Sequence, residues 1–448
     1  MNPFPINNYY KKVLRIALPA IAGLSTQMVL SIVDTAMVGR LPEATYALAA
    51  MGLGVLATWA LISFFSSLAT GTHVLVARKF GESDYSGCGK ILNNSIYLSF
   101  VIGSIVAMIA VFFAYDISHF FAADPTVGKY AGDFIFFRFI GIPFFLISVS
   151  YRGFYFGINK TKIFMFSGII TNLLNIFFNY MLIYGKFGLP RMGVAGSALG
   201  STFATLFDMV FYFTILVLPT YRNKFQNFKN LKIDFSIIGK IYKISIPVSF
   251  QNVFILIGFL SFVAITGLIG TKEQAATQTI MSTLFLSLLP SFGFGIAAQT
   301  LVGNNLGSGK IKLAKIYGYE TAKVATYYTI LLGLVFILFP KAVLSIITTD
   351  NSILEVAKPA LRVAGVAQIF YATGIVLGNG LQSAGKTFYV MMSEVVTNLL
   401  IFVPLSYFLG VYLRLGLTWA WGALPVYIIL FSASILLKFK YGDWGSKI

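Results

Sequence analysis

Long apolar runs separated by short polar joints dominate the chain. Bilayer hydrocarbon is about 30 Å thick, so a helix that crosses it needs about 20 mostly apolar residues. Twelve stretches reach that length, near 13–39, 46–76, 91–114, 126–156, 163–184, 193–218, 240–270, 274–304, 316–339, 355–383, 388–412 and 417–437. Several exceed the minimum, which implies tilt or extension beyond the lipid. The runs are continuous rather than alternating, which argues against a β-barrel. The first run is too long for a cleavable signal and leads straight into a second span. The pattern predicts an all-α integral membrane protein with twelve transmembrane helices.

Composition agrees. Of 448 residues, 57% are hydrophobic and 11% charged, against about 25% charged in soluble domains. This excludes an ordinary cytosolic enzyme and a disordered chain. The net charge of +18 comes from basic residues scattered through the joints, not clustered along one face as a nucleic-acid partner requires. It reads instead as an orientation signal. With a cytoplasmic N-terminus, the inner joints carry 21 Lys and Arg and the outer joints 8. Both termini are therefore expected in the cytoplasm, in a prokaryotic-type inner (plasma) membrane. The one cysteine, Cys88, excludes an internal disulfide and a cysteine-based metal site. No Walker loop, HExxH or nucleophile elbow occurs, so ATP hydrolysis and hydrolytic chemistry are not indicated. The expectation is a non-enzyme with no cofactor.

The longest basic stretch, Tyr221 to Lys243, falls midway and reads as a linker. It divides the chain into an N-terminal six-helix lobe (1–220), a basic linker with the start of span seven (221–243) and a C-terminal six-helix lobe (244–448). The lobes resemble each other. KVLRIALPA around Pro19 answers KIYKISIPV around Pro247, and HVLVARKFG ending at Gly81 answers QTLVGNNLG ending at Gly307. ITNLL with Asn172 and VTNLL with Asn398 each follow a Lys-Thr pair, Lys160-Thr161 and Lys386-Thr387. Six spans per half is an even number. The halves should therefore run parallel, related by a pseudo-two-fold along the membrane normal, with substrate held between them.

A repeat allows an internal comparison. Asp34 in LSIVDTAMVG corresponds to Ala264 in the matching LSFVAITGLIG, so the shared fold does not need the acid. A carboxylate at the bilayer centre costs at least about 2.5–3.5 kcal/mol, and intramembrane acids are functional by default. The structural alternative is an aspartate near a helix end, reaching water. Asn172, Asn175 and Asn179 lie at i, i+3, i+7, on one helix face. The second half keeps only Asn398, with Ile401 and Leu405 at the later positions. Asn172 is therefore read as interhelical hydrogen-bond glue, and Asn175 and Asn179 as functional. At about 1.5 Å rise per residue, Asp34, Asn175, Asn179 and Ser201 all fall in the outer part of the first lobe. One carboxylate, two amide oxygens and a hydroxyl are hard ligands that could hold Na⁺, or Asp34 could take a proton.

Pro19 lies about four turns below Asp34. It either opens the first helix or lets it bend. Asp208 and Glu394 are intramembrane acids that could face a cationic substrate or pair with Arg138, Arg152 or Arg362. His73 reads as a satisfied helix-end histidine.

The segments ALPAI at Pro19, VDTAMVG at Asp34, RGFYFGINKTK from Arg152, TNLLNIFFNY from Asn172, GVAGSALGST from Gly193 and GLQSAGKT from Gly380 resemble the multidrug and toxic compound extrusion (MATE) family. Their order and spacing span essentially the whole chain. The resemblance implies a secondary antiporter that exports amphipathic, often cationic organic compounds in exchange for Na⁺ or H⁺. It places Asp34, Asn175 and Ser201 in the family's N-lobe cation site. Asn179 departs from the pattern, which usually has an aspartate there. One branch also carries acids in spans seven and ten, but this chain has no Asp or Glu from 235 to 272 or 356 to 393. It is therefore closer to the DNA-damage-inducible F-like branch. Expected partners are small organic molecules and membrane lipids, with the chain acting as a monomer. A lipid or lipid-linked precursor flippase of related fold is the alternative function.

Overall fold

The computed structural model describes residues 7–229 and 231–445. Among them the apolar runs are all helical and no strand occurs. Helix α1 is Asn7–Val38. The others are α2 (Ala44–Gly81), α3 (Tyr85–Phe112), α4 (Pro125–Ile140 with Ile142–Gly157), α5 (Thr161–Tyr184), α6 (Gly193–Val217), α7 (Phe235–Ile269), α8 (Thr271–Gly307), α9 (Ile311–Leu338), α10 (Asn351–Ser383), α11 (Thr387–Tyr412) and α12 (Leu417–Tyr441). Among the described residues, eleven of these are singly long and apolar enough to cross a bilayer, and α4, bent by 47°, makes a twelfth.

The irregularities have local causes. The α4 bend follows from Pro143, which has no N–H for the carbonyl one turn back, and the Gly141 N–H closes a tighter turn on the Arg138 carbonyl (3.2 Å). In α2 the helix breaks after Phe65, where the hydroxyls of Ser66 and Ser67 donate to the carbonyls of Ser63 (3.0 Å) and Phe64 (2.8 Å). Around Pro404, α11 widens into two π-helical stretches, Val396–Phe402 and Phe408–Tyr412. Four aspartates cap helix starts: Asp84, Asp124, Asp234 and Asp350 each accept a backbone N–H from the first turn that follows.

Packing divides the chain into two units, Ala22–Ser249 and the remainder, which joins the residues up to Ile21 to those from Phe250 onward. The boundaries therefore fall inside α1 and α7 rather than in the 221–243 joint. Each comes just after a proline, Pro19 in α1 and Pro247 in α7, and both prolines lie within their helices. Neither opens its helix. Contacts within each unit explain the exchange. In the C-terminal unit Gly293 of α8 admits the backbone of α1, and a Cβ there would lie 3.1 Å from Ile21 N and 3.3 Å from Ala17 O. In the N-terminal unit Gly71 of α2 admits α7, where a Cβ would meet Ser245 Oγ at 2.3 Å and Ile241 O at 2.7 Å. Ser67 and Ser249 also share a short hydrogen bond, and Ser249 donates to the Phe64 carbonyl at 2.8 Å.

Lipid-like surroundings supply little hydrophobic drive between helices, so close backbone approach and hydrogen bonds have to hold them together. Gly153 and Gly157 seat α4 on α2, Gly196 seats α6 on α5, and Gly333 meets Gly365 between α9 and α10. Ser150 on α4 bonds both Ser95 and Ser99 on α3 (2.7 Å each), and Ser95 bonds Thr72 on α2 (2.5 Å). A methyl group at Gly153 would lie 2.5 Å from the Ala69 carbonyl, whereas Gly52 has nothing within 4 Å. Gly153→Ala should lose about 1–3 kcal/mol through overpacking, while Gly52→Ala should be neutral or slightly stabilising. Thermal unfolding of both variants in detergent tests the difference.

Candidate functional site

Helices α1 and α5 are laced together along their length. Gly23 accepts the Phe164 ring, and Gly168 accepts Thr26, so the backbones come close. Asn172 donates to the Thr26 carbonyl (2.5 Å), and Tyr184 donates to the Met37 carbonyl (2.8 Å). Asn172 is thus interhelical glue. Between these fixed points lies Asp34, buried at 9% exposure.

Asn179 is fully buried and donates from Nδ2 to Asp34 Oδ1 at 2.7 Å and to Asn175 Oδ1 at 2.9 Å. Asn175, also fully buried, donates to Ser201 Oγ on α6 at 2.9 Å. The four residues singled out in the sequence therefore form one continuous chain, Asp34–Asn179–Asn175–Ser201. The α6 helix can supply Ser201 because Gly200 leaves room. A Cβ on Gly200 would stand 2.2 Å from Asn179 Oδ1. That oxygen is buried and has no hydrogen-bond partner. It belongs to the amide whose nitrogen holds Asp34, and it lies against the α6 backbone at Gly200.

One member of the site was not visible as such in the sequence. Arg138 of α4 acts electrostatically on Asp34, and its Nη1 reaches Thr205 Oγ1 at 3.5 Å, one turn from Ser201. Its spacing from Asp34 in the chain carries no signal. Only the α4 to α6 packing brings it in, supported by Thr202 donating to the Phe137 carbonyl (2.8 Å).

Asp208 accepts hydrogen bonds from Ser167 and from Thr171 (3.3 Å), with Arg152 as its nearby cation. Arg152 lies over the rings of Phe145 and Phe164. Glu394 is buried in the C-terminal unit and accepts from Tyr427 and Asn398. Arg362 is exposed and pairs with neither acid. His73 is buried and packs edge-on to Phe156 (5.6 Å). Pro19 belongs by packing to the other unit, although it shares α1 with Asp34. Among the described residues no group of three His, Cys, Asp or Glu could hold a metal ion.

The MatE family model matches this chain twice, at 19–181 and 247–408. The chain belongs to the MatE family, a family of membrane transporters. The two matches begin at Pro19 and Pro247, so each half carries a copy of the same motif. Probable multidrug resistance protein NorM of Thermotoga maritima is 26% identical over 438 residues, covering 98% of this chain and 93% of its own. Probable multidrug resistance protein YoeA of Bacillus subtilis is 21% identical, covering 85% and 82%. A solved structure of MATE in the bent conformation superposes with a TM-score of 0.88 at 18% identity, covering 97% of this chain and 95% of that one. This MatE chain is an integral membrane protein of the same fold.

Asn175 stands at the centre of the hydrogen-bonded chain, so its loss strands a donor and a hydroxyl away from water. Asn175→Ala should destabilise the protein by about 1–3 kcal/mol, read as a lower unfolding temperature in detergent. Ser201→Ala, at the half-buried end of the chain, should have the smaller effect.

Proposed function

We propose that this MatE protein is a secondary active exporter of amphipathic, often cationic organic compounds, driven by H⁺ or Na⁺ and coupled through Asp34. The observation that carries the reading is a buried acid, absent from the matching position of the other half, linked to Asn179, Asn175 and Ser201 within the N-terminal unit. The multidrug names of the relatives support the substrate class.

A buried carboxylate is tolerated when it is paired, protonated or bound to a cation. Ion arrival at Asp34 therefore changes the stability of the conformation that buries it. A ligand shifts a two-state equilibrium only by binding one state better, and Asp34 supplies that difference. Substrate leaves from the outward-open state as the ion enters. The ion-loaded protein then rocks inward about a central cavity, in a rocker-switch cycle. Pro19 marks where α1 passes from one packing unit to the other, which makes it the natural point for α1 to bend. The groups that face Asp34 stabilise its ionised form until a coupling ion arrives. Asn179 offers it an N–H, Arg138 brings a positive charge, and Asn179 takes the place of a second carboxylate. Asp208, already satisfied by Ser167, Thr171 and Arg152, is assigned to holding α4, α5 and α6 together.

Asp34→Asn should abolish efflux of a cationic dye driven by an imposed H⁺ or Na⁺ gradient, in proteoliposomes with wild-type protein content. Full gradient-driven efflux in that variant overturns the coupling role. A lipid-flipping assay on the same vesicles tests the flippase alternative. Asn179→Asp would place a second carboxylate at hydrogen-bond distance from Asp34, and it should raise the stimulation of efflux by Na⁺. An unchanged ion dependence would remove Asn179 from the ion's path.

A further inference from the structure

Four acids are buried among the described residues: Asp34, Asp208, Glu320 and Glu394. Three have a cation at hand. Arg138 acts on Asp34, Arg152 acts on Asp208, and Lys323 bonds Glu320 at 2.7 Å. Glu394, 2% exposed on α11, has neutral partners: Tyr427 of α12, Asn398 one turn on (Nδ2 to Oε1, 3.5 Å) and Gln251 of α7. Gln251 is held in turn by Gln382 of α10, which donates to its Oε1 at 3.2 Å. The titratable groups facing Glu394 are Tyr371 of α10 and Tyr427 of α12, and no Lys or Arg nitrogen lies within 4.0 Å of it among the described residues.

We propose that Glu394 is a second proton-carrying site, in the C-terminal unit and separate from Asp34, on span eleven. A buried carboxylate without a counter-charge has to take a proton or another cation. A hard metal ion such as Ca²⁺ takes about six to eight oxygen ligands, more than Glu394, Tyr427, Asn398 and Gln251 offer between them, whereas a proton needs one carboxylate oxygen. Asn398 allows both protonation states. Its Nδ2 faces the carboxylate, while its Oδ1 is buried with no partner. The amide occupies the space that a Cβ at Gly258 would take. Turning the amide over presents Oδ1 as the acceptor for a protonated Glu394. The π-helical stretch Val396–Phe402 starts beside these residues, and such widened turns recur at functional sites.

A small cavity with mostly apolar walls lies close by. It measures about 30 Å³ and is lined by Phe259, Leu284, Gln368, Tyr371 and Leu424, among others. Gln368, whose Oε1 is buried without a partner, is one of the lining residues. Tyr371 lines the cavity and also acts on Glu394. A proton entering as hydronium would be passed to a carboxylate oxygen of Glu394, leaving neutral water behind. The reverse step returns it.

The inference rests on the exporter reading for its role in transport, but its first test does not. Infrared difference spectra of the purified full chain, titrated in detergent, should show a protonated-carboxyl band that disappears in Glu394→Gln. The band should shift but persist in Tyr427→Phe, which keeps the acid and removes a donor. Loss of the band on adding Na⁺ at constant pH would identify a cation site and overturn the proposal. A band unchanged in Glu394→Gln would also overturn it. In proteoliposomes with the membrane potential clamped, loss of one exchanged proton should reduce the accumulation ratio about tenfold across a tenfold proton gradient, and an unchanged ratio in Glu394→Gln removes the site from the coupling. Asp34→Asn run in parallel separates the two readings, since its failure to uncouple would sink the Asp34 mechanism and leave the infrared result standing.

Discussion

Inside hydrocarbon there is no water to satisfy a polar group, so each buried donor, acceptor and charge has to find its partner within the protein. The rest of this structure follows from that constraint. Helices satisfy their own backbones, and the polar side chains left over are drawn into chains and pairs. Ser150 ties α3 to α4, Asn172 ties α5 to α1, and Asp208 is met by Ser167, Thr171 and Arg152. The accounting is incomplete at several atoms, Asn179 Oδ1, Asn398 Oδ1 and Gln368 Oε1 among them, which are buried without a hydrogen-bond partner.

The two halves of the repeat use this constraint differently. The N-terminal unit sets Asp34 at the end of an amide chain with an arginine at hand. The C-terminal unit keeps Asn398, loses the two later amides to Ile401 and Leu405, and carries its acid one turn before that asparagine instead of on the helix that answers α1. The shared asparagines hold helices or tune an acid according to what faces them. Thr26 O faces Asn172, and Glu394 faces Asn398.

The prolines have a similar double aspect. Both halves carry one near the start of their first helix, and in both the helix continues through it. A missing backbone hydrogen bond is a weak point in a helix that otherwise resists bending. Here that weak point coincides with the change of packing unit in α1 and in α7. Glycines at Gly293 and Gly71 then let the borrowed helix ends pack at backbone distance.

The sequence by itself determined the class of protein, the twelve spans, the repeat and the four-residue cluster at Asp34. Hydropathy, spacing and the comparison of one half with the other are local signals, and burial in lipid leaves little room for alternatives. The i, i+3, i+7 asparagines were legible because a helix turns a spacing into a face. Tertiary structure alone decided that Arg138 serves Asp34 while Arg152 serves Asp208, that Pro19 and Pro247 lie within helices at unit boundaries, and that Glu394 has no counter-charge among the described residues. Each of these depends on which faces of distant helices meet. Charges more than a turn apart in the chain carry no record of their neighbours, and a glycine does not announce which backbone will fill the space it leaves.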